Sequence, residues 1–340
     1  MKILFIGGTG AISGAVSQLI VQQGHELWLL NRGNRPLPQG AHSLVADIND
    51  LPTVRQKLAD HTFDVVADFL AYGAAQIERD YQLFNGRTRQ YVYISSASVY
   101  HKPPINWLIT ESTPQVNPYW QYAKDKIAGE QLAVQLYREK GFPVTIVRPS
   151  HTYSEGKVPL ALGGAGGSWP VLKRMKEGKP VIIPGDGTAL WTLTHSRDFA
   201  KGFAGLLGNP HAIGETVQIT GDEAMTWNQV YRTVADTMGV ELHAVHVPSD
   251  LLERTTPFGR GSLWGDKANC ALFDNTKIKR LVPGFTATIR FDEGVRETVE
   301  YVFSHPECQT EDPVMDAWFD RVIAAQQAAE AAVLAAQSEA

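Results

Sequence analysis

The stretch KILFIGGTGAISGAVSQLI, residues 2–20, decides the fold of this chain. Its first five residues predict a short buried strand, and residues 13–23 carry apolar side chains at helical spacing. Between them lies a glycine-rich turn, Gly7–Gly14 (GGTGAISG). Such a turn lets a pyrophosphate approach the backbone at the N-terminus of the following helix. The stretch therefore predicts the dinucleotide-binding unit of an α/β protein.

The alternation of strand and helix continues to about residue 150. The predicted strands are 2–6, 26–30, 64–69, 90–94 and 143–147, and the predicted helices are 13–23, 51–58, 74–84 and 119–140. This order predicts a Rossmann-like, doubly wound parallel sheet with both faces covered by helices. After Arg148-Pro149 the regularity ends, which indicates a smaller mixed α/β substrate lobe. That lobe includes a predicted helix at 227–238 and a predicted strand at 243–247.

These patterns divide the chain into three parts. The Rossmann domain comprises residues 1–150, and segments near 185–220 return to it. The substrate-binding lobe comprises residues 151–184 and 221–312. The C-terminal helical tail comprises residues 313–340. Within the tail, helical spacing of apolar residues predicts a helix packed on its own lobe, with a subunit contact as the alternative; these residues are Met315, Trp318, Phe319, Val322 and Ile323. The glycine-rich segment 163–167 is a candidate mobile lid.

Composition excludes several classes of partner. The chain has 31 Lys and Arg against 36 Asp and Glu, a net charge of −5, and no basic block, so no nucleic-acid partner is expected. Cys270 and Cys308 lie outside any C-x-x-C spacing and the histidines are scattered, so we expect no metal site and a cytoplasmic location. No leader or long apolar stretch is visible, so no membrane association is expected.

The end of the second strand bears on cofactor choice. NAD-binding folds generally place an acidic residue there, to accept hydrogen bonds from the ribose 2′-hydroxyl. Here the strand ends in Asn31-Arg32-Gly33. Because Asn31 cannot repel a 2′-phosphate and Arg32 can attract one, NADP is favoured over NAD. The predicted cofactor-binding residues are Gly7, Gly10, Ala11, Ile12, Asn31, Arg32, Asp47, Ile48, Tyr122, Lys126 and Pro149.

A serine cluster and a tyrosine–lysine pair supply candidate chemistry. Ser95-Ser96-Ala97-Ser98 follows a predicted strand, at the sheet edge where such folds bind ligands. Tyr122 and Lys126 lie one turn apart on one helix face. A free phenol has a pKa of about 10, and a lysine ammonium together with the positive nicotinamide ring can lower it where water is excluded. Tyr122 would then move a proton to or from a substrate oxygen held by Ser96, and Lys126 would also bind the nicotinamide ribose.

In combination, these motifs resemble the extended short-chain dehydrogenase/reductases, also called NAD-dependent epimerase/dehydratases. The resemblance covers roughly residues 1–305 and is carried by Gly7–Gly14, Asn31–Gly33, Tyr91–Tyr100 (YVYISSASVY), Tyr122–Lys126 (YAKDK), Val144–Pro149 (VTIVRP), Ile183–Ala200 and Phe273–Phe285. It implies a catalytic triad of Ser96, Tyr122 and Lys126. It also implies a homodimer formed through two helices of the sheet domain, including the tyrosine helix.

The substrate pocket is expected to include Ser96, Ser98, His151 and Trp191. Trp191 could stack on a sugar ring or pack in the core. Its segment, 189–192, lacks the arginine that the family often offers to a nucleotide-sugar diphosphate, which argues against a nucleotide sugar. Ala97-Ser98 stands where sugar dehydratases carry an Asp-Glu pair, so a 4,6-dehydratase is not expected.

Three functions remain open. The first is an NAD(P)-dependent oxidoreductase of the epimerase/dehydratase type, acting on a sugar or nucleotide sugar by reversible hydride transfer with Tyr122 as acid/base. The second is an NADPH-dependent reductase or dehydrogenase of a non-nucleotide sugar or another carbonyl compound. The third is a non-catalytic relative that binds RNA or senses cofactor; the complete Ser-Tyr-Lys set argues against it.

Overall fold

The computed structural model describes residues 1–164 and 166–338. Ala165, in the predicted lid, and residues 339–340, at the end of the predicted tail, lie outside the described residues.

Strands and helices alternate along the first half of the chain. The strands are β1 (Lys2–Ile6), β2 (Glu26–Asn31), β3 (His42–Val45), β4 (Phe63–Asp68), β5 (Thr88–Ile94), β6 (Val144–Pro149), β7 (His151–Tyr153), β8 (Val181–Pro184), β9 (Leu190–His195), β10 (Thr216–Ile219), β11 (Ala224–Thr226) and β12 (Ala244–Val247). The α-helices are α1 (Ala11–Gln22), α2 (Leu51–Leu58), α3 (Ala74–Phe84), α4 (Gln121–Lys140), α5 (Trp169–Lys176), α6 (Ser196–Leu206), α7 (Trp227–Met238), α8 (Ser249–Thr255), α9 (Thr276–Leu281), α10 (Phe291–Ser304) and α11 (Pro313–Ser338).

The large sheet has seven parallel strands in the order β3-β2-β1-β4-β5-β6-β10. The prediction of a Rossmann-like, doubly wound sheet is therefore confirmed. The strand order reverses between β1 and β4, and folds of this kind bind ligands in the crevice at such a switch point. The carboxyl ends of β1, β2, β4 and β5 meet at this crevice.

The chain returns to the large sheet after entering the second lobe. β9 pairs with β7 and β11 in a small three-stranded sheet, so it belongs to the second lobe. The return begins at α6, which buries Phe199, Phe203 and Leu206 in the same core as Phe5 and Val92 of the large sheet. β10 then pairs with β6 and completes the sheet.

The second lobe has its own apolar core, and α11 is part of it. Met315, Trp318, Phe319, Val322 and Ile323 are buried in that core, so α11 packs on its own lobe as predicted. Arg174 of α5 reinforces the contact with ion pairs to Asp316 at 2.6 Å and Asp320 at 2.7 Å. None of the described helices is both long enough and apolar enough to span a lipid bilayer.

Candidate functional site

The glycine turn between β1 and α1 has a backbone that only glycine adopts easily. Gly7 and Gly8 have φ of +99° and +90°. A Cβ at Gly8 would lie 2.5 Å from Cδ2 of Leu29. The hydroxyl of Ser17 donates to the Gly8 carbonyl at 2.8 Å and fixes the turn. The free N–H groups of the first turn of α1 are therefore presented to the crevice, where they can bind an anion.

A cleft of about 940 Å³ runs from this turn to the tyrosine–lysine pair. It is lined by all of the predicted cofactor-binding residues: Gly7, Gly10, Ala11, Ile12, Asn31, Arg32, Asp47, Ile48, Tyr122, Lys126 and Pro149. The structure thus brings together residues from the ends of four strands, β1, β2, β3 and β6, and from two helices, α1 and α4. The size of the cleft, the glycine turn and the helix N-terminus fit a dinucleotide with its pyrophosphate at α1.

At the far end of this cleft, the guanidinium of Arg32 has no hydrogen-bond or ion-pair partner among the described residues. The Asn31 side chain is hydrogen-bonded to the neighbouring backbone. Its Oδ1 accepts from the Gly33 amide at 2.9 Å, and its Nδ2 donates to the Gly7 carbonyl at 3.4 Å. Arg35 donates to the Thr9 carbonyl at 3.0 Å. Arg32 is exposed and forms no hydrogen bond or ion pair with the rest of the described chain.

The serines after β5 have separate roles. Ser95 is buried and donates to Glu130 Oε1 at 2.5 Å, so it is tied to the interior. Ser96 Oγ accepts from the Ser98 amide at 3.1 Å and from the Ser98 hydroxyl at 3.0 Å. The Ser96 side chain is also close enough to Tyr122 to lower the pKa of its phenol. The structure therefore brings Ser96, Ser98 and Tyr122 into one constellation.

Tyr122 is held between two aromatic rings. Its ring centroid lies 4.8 Å from that of Trp120 and 6.2 Å from that of Tyr72. Removal from water raises the pKa of Tyr122 to about 12, and the nearby Ser96 side chain opposes that rise only in part. The phenol is consequently protonated at neutral pH and is poised to donate a proton.

Lys126 is fixed by the backbone of two neighbouring loops. Its Nζ donates to the carbonyls of Ala71 at 2.6 Å and Ile94 at 2.7 Å, and lies 5.7 Å from the Tyr122 ring centroid. Burial lowers the pKa of Lys126 to about 8. That Lys126 and a bound nicotinamide ring together lower the pKa of Tyr122 stays a prediction; within the chain itself, burial of the phenol is the largest influence on this pKa and raises it.

A buried charge network beside the cleft was missed by sequence reasoning. Arg79, which lines the cleft, donates to Asp68 at 2.7 Å and to Asp80 at 2.8 Å, and the Tyr91 hydroxyl donates to Asp80 at 2.6 Å. Burial and the charge of Asp80 raise the pKa of Asp68 well above its usual range. The acidic residue ending β4 was the only signal in the sequence, and its partners come from α3 and β5.

The predicted substrate residues His151 and Trp191 lie on the second-lobe side. Trp191 is only 1% exposed, with the Trp227 ring at 5.2 Å and Lys267 Nζ at 4.1 Å from its centroid. Its ring therefore packs in the core and offers no open face to a sugar. His151 contacts both tryptophan rings, and its buried Nδ1 has no partner in the described chain. Burial lowers the pKa of His151 well below its usual range, so the ring is neutral.

No metal centre is evident in residues 1–164 and 166–338, since no three His, Cys, Asp or Glu side chains gather there as ligands.

Two curated proteins show what the chain resembles in sequence. It is 30% identical over 253 residues to the chloroplast stem-loop binding protein of 41 kDa b from Arabidopsis thaliana, covering 70% of this chain and 63% of that protein. It is 24% identical over 291 residues to 2′-dehydrokanamycin reductase from Streptomyces kanamyceticus, covering 84% of this chain and 80% of the reductase. The chain thus spans less than two thirds of the length of the chloroplast protein.

Solved structures share the fold. The epimerase Mth375 from Methanothermobacter thermautotrophicus superimposes with a TM-score of 0.75 at 17% identity, covering 90% of this chain and 93% of that one. UDP-glucuronic acid 4-epimerase from Bacillus cereus, in complex with NAD, gives 0.70 at 19% identity, covering 89% and 99%. The family model described as NAD dependent epimerase/dehydratase family matches residues 3–220. The chain belongs to the NAD dependent epimerase/dehydratase family.

Proposed function

We propose that this chain is an NAD(P)-dependent oxidoreductase of the epimerase/dehydratase type, which acts on a sugar or nucleotide sugar by reversible hydride transfer. The observation that carries the proposal is that Tyr122 and Lys126, one helical turn apart, line the end of the dinucleotide cleft, with the Ser96 side chain close to the phenol. A proton donor, a second hydroxyl and a cation lie together where the nicotinamide of a dinucleotide would reach them.

The residues of the chain have distinct tasks in this proposal. When bound, the nicotinamide accepts or supplies the hydride. Ser96 orients the substrate oxygen, and Tyr122 transfers a proton to that oxygen or removes one from it. Lys126, fixed by two carbonyls, retains an N–H for a ribose hydroxyl. The aromatic rings of Trp120 and Tyr72 limit the access of water to the phenol.

A second candidate is an NADPH-dependent reductase of a non-nucleotide sugar or another carbonyl compound. Two observations favour it. The phenol of Tyr122 is protonated at neutral pH, which suits proton donation to a carbonyl. Arg32 is an unengaged cation in the cleft, which suits a 2′-phosphate. The similarity to 2′-dehydrokanamycin reductase also supports this second candidate.

The nucleotide released on denaturing the purified protein separates these candidates. Stoichiometric NAD or NADP would mean that the cofactor stays through turnover, as an epimerase requires. Protein that is empty but binds NADPH more tightly than NADH would support the reductase. Tyr122→Phe is expected to keep cofactor affinity and lower kcat by about 10²–10⁴-fold. Failure of the protein to bind either dinucleotide would contradict both proposals and revive the RNA-binding alternative.

We also propose that the protein is cytoplasmic and that it forms a homodimer through two helices of the sheet domain, including α4, as the family resemblance implies. Ala128 is exposed on α4. Light scattering should give twice the chain mass of 37.4 kDa. Ala128→Arg is expected to yield monomers, and a monomeric wild-type protein would refute the proposal.

A further inference from the structure

We propose that Asp68 is a positioning residue, which holds the loop of residues 69–73 so that the Ala71 carbonyl directs the Lys126 ammonium toward the cofactor. The inference rests on the proposed function in one respect, since it takes Lys126 to bind the ribose of a dinucleotide in the cleft.

The ammonium of Lys126 is held by two carbonyls whose own backbone is fixed to different degrees. The Ile94 carbonyl, which accepts from Nζ at 2.7 Å, ends β5, and β5 is paired on both sides within the large sheet. The Ala71 carbonyl, which accepts from Nζ at 2.6 Å, lies between β4 and α3 and outside both elements. The direction of the remaining N–H of Lys126 therefore depends on what fixes the loop 69–73.

Asp68 fixes this loop from the last position of β4. Its Oδ1 accepts from the amides of Leu70 at 2.5 Å and Ala71 at 3.1 Å. Its Oδ2 accepts from Arg79 Nη2 at 2.7 Å, so both oxygens are engaged and the side chain is held in one orientation. The backbone of Asp68 is paired with β1 and β5, and its side chain is fully buried. Because a buried amide without a partner is costly, the two bonds hold the loop to a rigid point of the sheet.

The loop 69–73 also rests against α4 beside Lys126. The ring centroid of Tyr72 lies 5.0 Å from Lys126 Nζ and 6.2 Å from the Tyr122 ring centroid. Gly73 lies so close to α4 that a Cβ there would be 3.3 Å from the Asp125 carbonyl oxygen. The same loop lines the dinucleotide cleft. A loop released by the loss of Asp68 would therefore move both a wall of the cleft and one anchor of the ammonium.

Asp80 provides an internal comparison. Like Asp68 it is fully buried and ion-paired with Arg79, from whose Nε it accepts at 2.8 Å. Its other oxygen accepts from the Tyr91 hydroxyl at 2.6 Å. None of its hydrogen bonds among the described residues goes to the loop 69–73. Loss of either carboxylate leaves Arg79 with one ion pair, but only the loss of Asp68 frees the loop.

Binding of NADPH to the full-length protein, measured by fluorescence titration, tests the proposal. Asp68→Ala leaves the Leu70 and Ala71 amides without their acceptor and is expected to weaken NADPH binding by about tenfold. Asp68→Asn keeps an oxygen for both amides and should stay within about threefold of the wild type, as should Asp80→Ala. Circular dichroism verifies that each variant is folded, and Asp68→Leu takes the place of Asp68→Ala if the alanine variant does not fold.

A double-mutant cycle shows whether Asp68 acts through Lys126. Lys126→Met is itself expected to weaken NADPH binding by about tenfold. Combined with Lys126→Met, Asp68→Ala should weaken binding by less than about twofold more, because the loop has no ammonium left to direct. A merely structural role of Asp68 would give the full loss in both backgrounds.

Three results would overturn the inference: NADPH affinity that survives Asp68→Ala, an equal loss with Asp80→Ala, or additive losses in the cycle. Each of them leaves the proposed function standing as long as the wild type binds NADPH and Lys126→Met weakens that binding. A wild type that binds neither NADPH nor NADH would instead refute the proposed function, and this inference with it.

Discussion

Arg148 donates to both carboxylate oxygens of Glu130, from Nε to Oε1 at 2.9 Å and from Nη2 to Oε2 at 2.5 Å. Both side chains are buried, and the Ser95 hydroxyl donates to the same carboxylate. This pair therefore joins α4, which carries Tyr122 and Lys126, to β6 and to the end of β5. The elements that carry the proposed catalytic residues are thus joined by a buried charge pair.

Breaking this pair should destabilise the protein. Glu130→Met or Arg148→Met leaves one buried charge unpaired, so each is expected to lower the free energy of unfolding by about 3–5 kcal/mol in urea titrations. The double variant removes both charges and should recover most of the loss. Single variants that cost less than about 1 kcal/mol would contradict the structural role of the pair.

Arg32 is expected to bind the 2′-phosphate of NADPH. Arg32→Ala is expected to weaken NADPH binding by about tenfold and to leave NADH binding unchanged, because only NADPH carries the 2′-phosphate. Fluorescence titration measures both constants. Arg55→Ala, on the exposed side of α2, is the matched control. An equal loss for both nucleotides would show that Arg32 does not contact the 2′-phosphate.

Deprotonation of Lys126 should change the stability of the protein and its affinity for the cofactor in opposite directions as the pH rises. Because its folded pKa is lowered to about 8 from 10.5, the native state loses this proton first. Between pH 8 and 10 the unfolded state holds more protons, so the stability of wild type relative to Lys126→Met should rise with pH, by at most about 3 kcal/mol. Cofactor affinity should fall over the same interval as the ammonium is lost. A stability difference that is flat with pH would refute the assignment.

The glycine turn should tolerate substitution at one position and not at another. Gly8→Ala combines a positive φ with a contact to Leu29, and is expected to lower the free energy of unfolding by about 2 kcal/mol or more and to weaken NADPH binding. Gly14→Ala, inside α1 with open space around it, should stabilise the protein by about 0.5–1 kcal/mol. Similar effects at the two positions would mean that neither the backbone conformation of Gly8 nor its proximity to Leu29 constrains the turn.

Apolar residues of α11 should contribute to the stability of the second lobe only in its first half. Phe319 is fully buried, so Phe319→Ala is expected to cost about 3–5 kcal/mol in chemical unfolding. Val333 is 60% exposed, and Val333→Ala should change stability by less than about 0.5 kcal/mol. A small effect at Phe319 would mean that α11 is not an integral part of the lobe.

The local parts of the fold could be predicted from the sequence. α2, α3 and α7 have the predicted bounds, since each has a clear apolar face and a defined start; Asp50 and Thr226 cap the first and last of these through backbone amides. The residues of the cofactor cleft could also be predicted from the sequence, because they follow predicted strands and parallel strands end at the same edge of a sheet. In the second lobe, short strands such as β7 and β11 lack the periodicity on which such predictions depend.

Long-range features could not be predicted in the same way. Asn117 Nδ2 donates to the Gly265 carbonyl at 2.7 Å across 148 positions, and nothing in the sequence near either residue predicts this contact. The same holds for Arg148 and Glu130, whose pairing depends on how α4 packs over β6. For Trp191 the sequence left two interpretations open, and only the contacts with Trp227 and Lys267 showed that the ring belongs to the core.

The place of β10 at the edge of the large sheet has a consequence for biosynthesis. β6 ends at residue 149 and its neighbour β10 ends at residue 219, so roughly 70 residues must be translated between them. At roughly 5–20 residues per second, the outer edge of β6 stays unpaired for several seconds on the ribosome. An open strand edge is a template for wrong pairing. The nascent chain therefore has an interval of exposure that ends when β10 has emerged from the exit tunnel, before most of the second lobe has been synthesised.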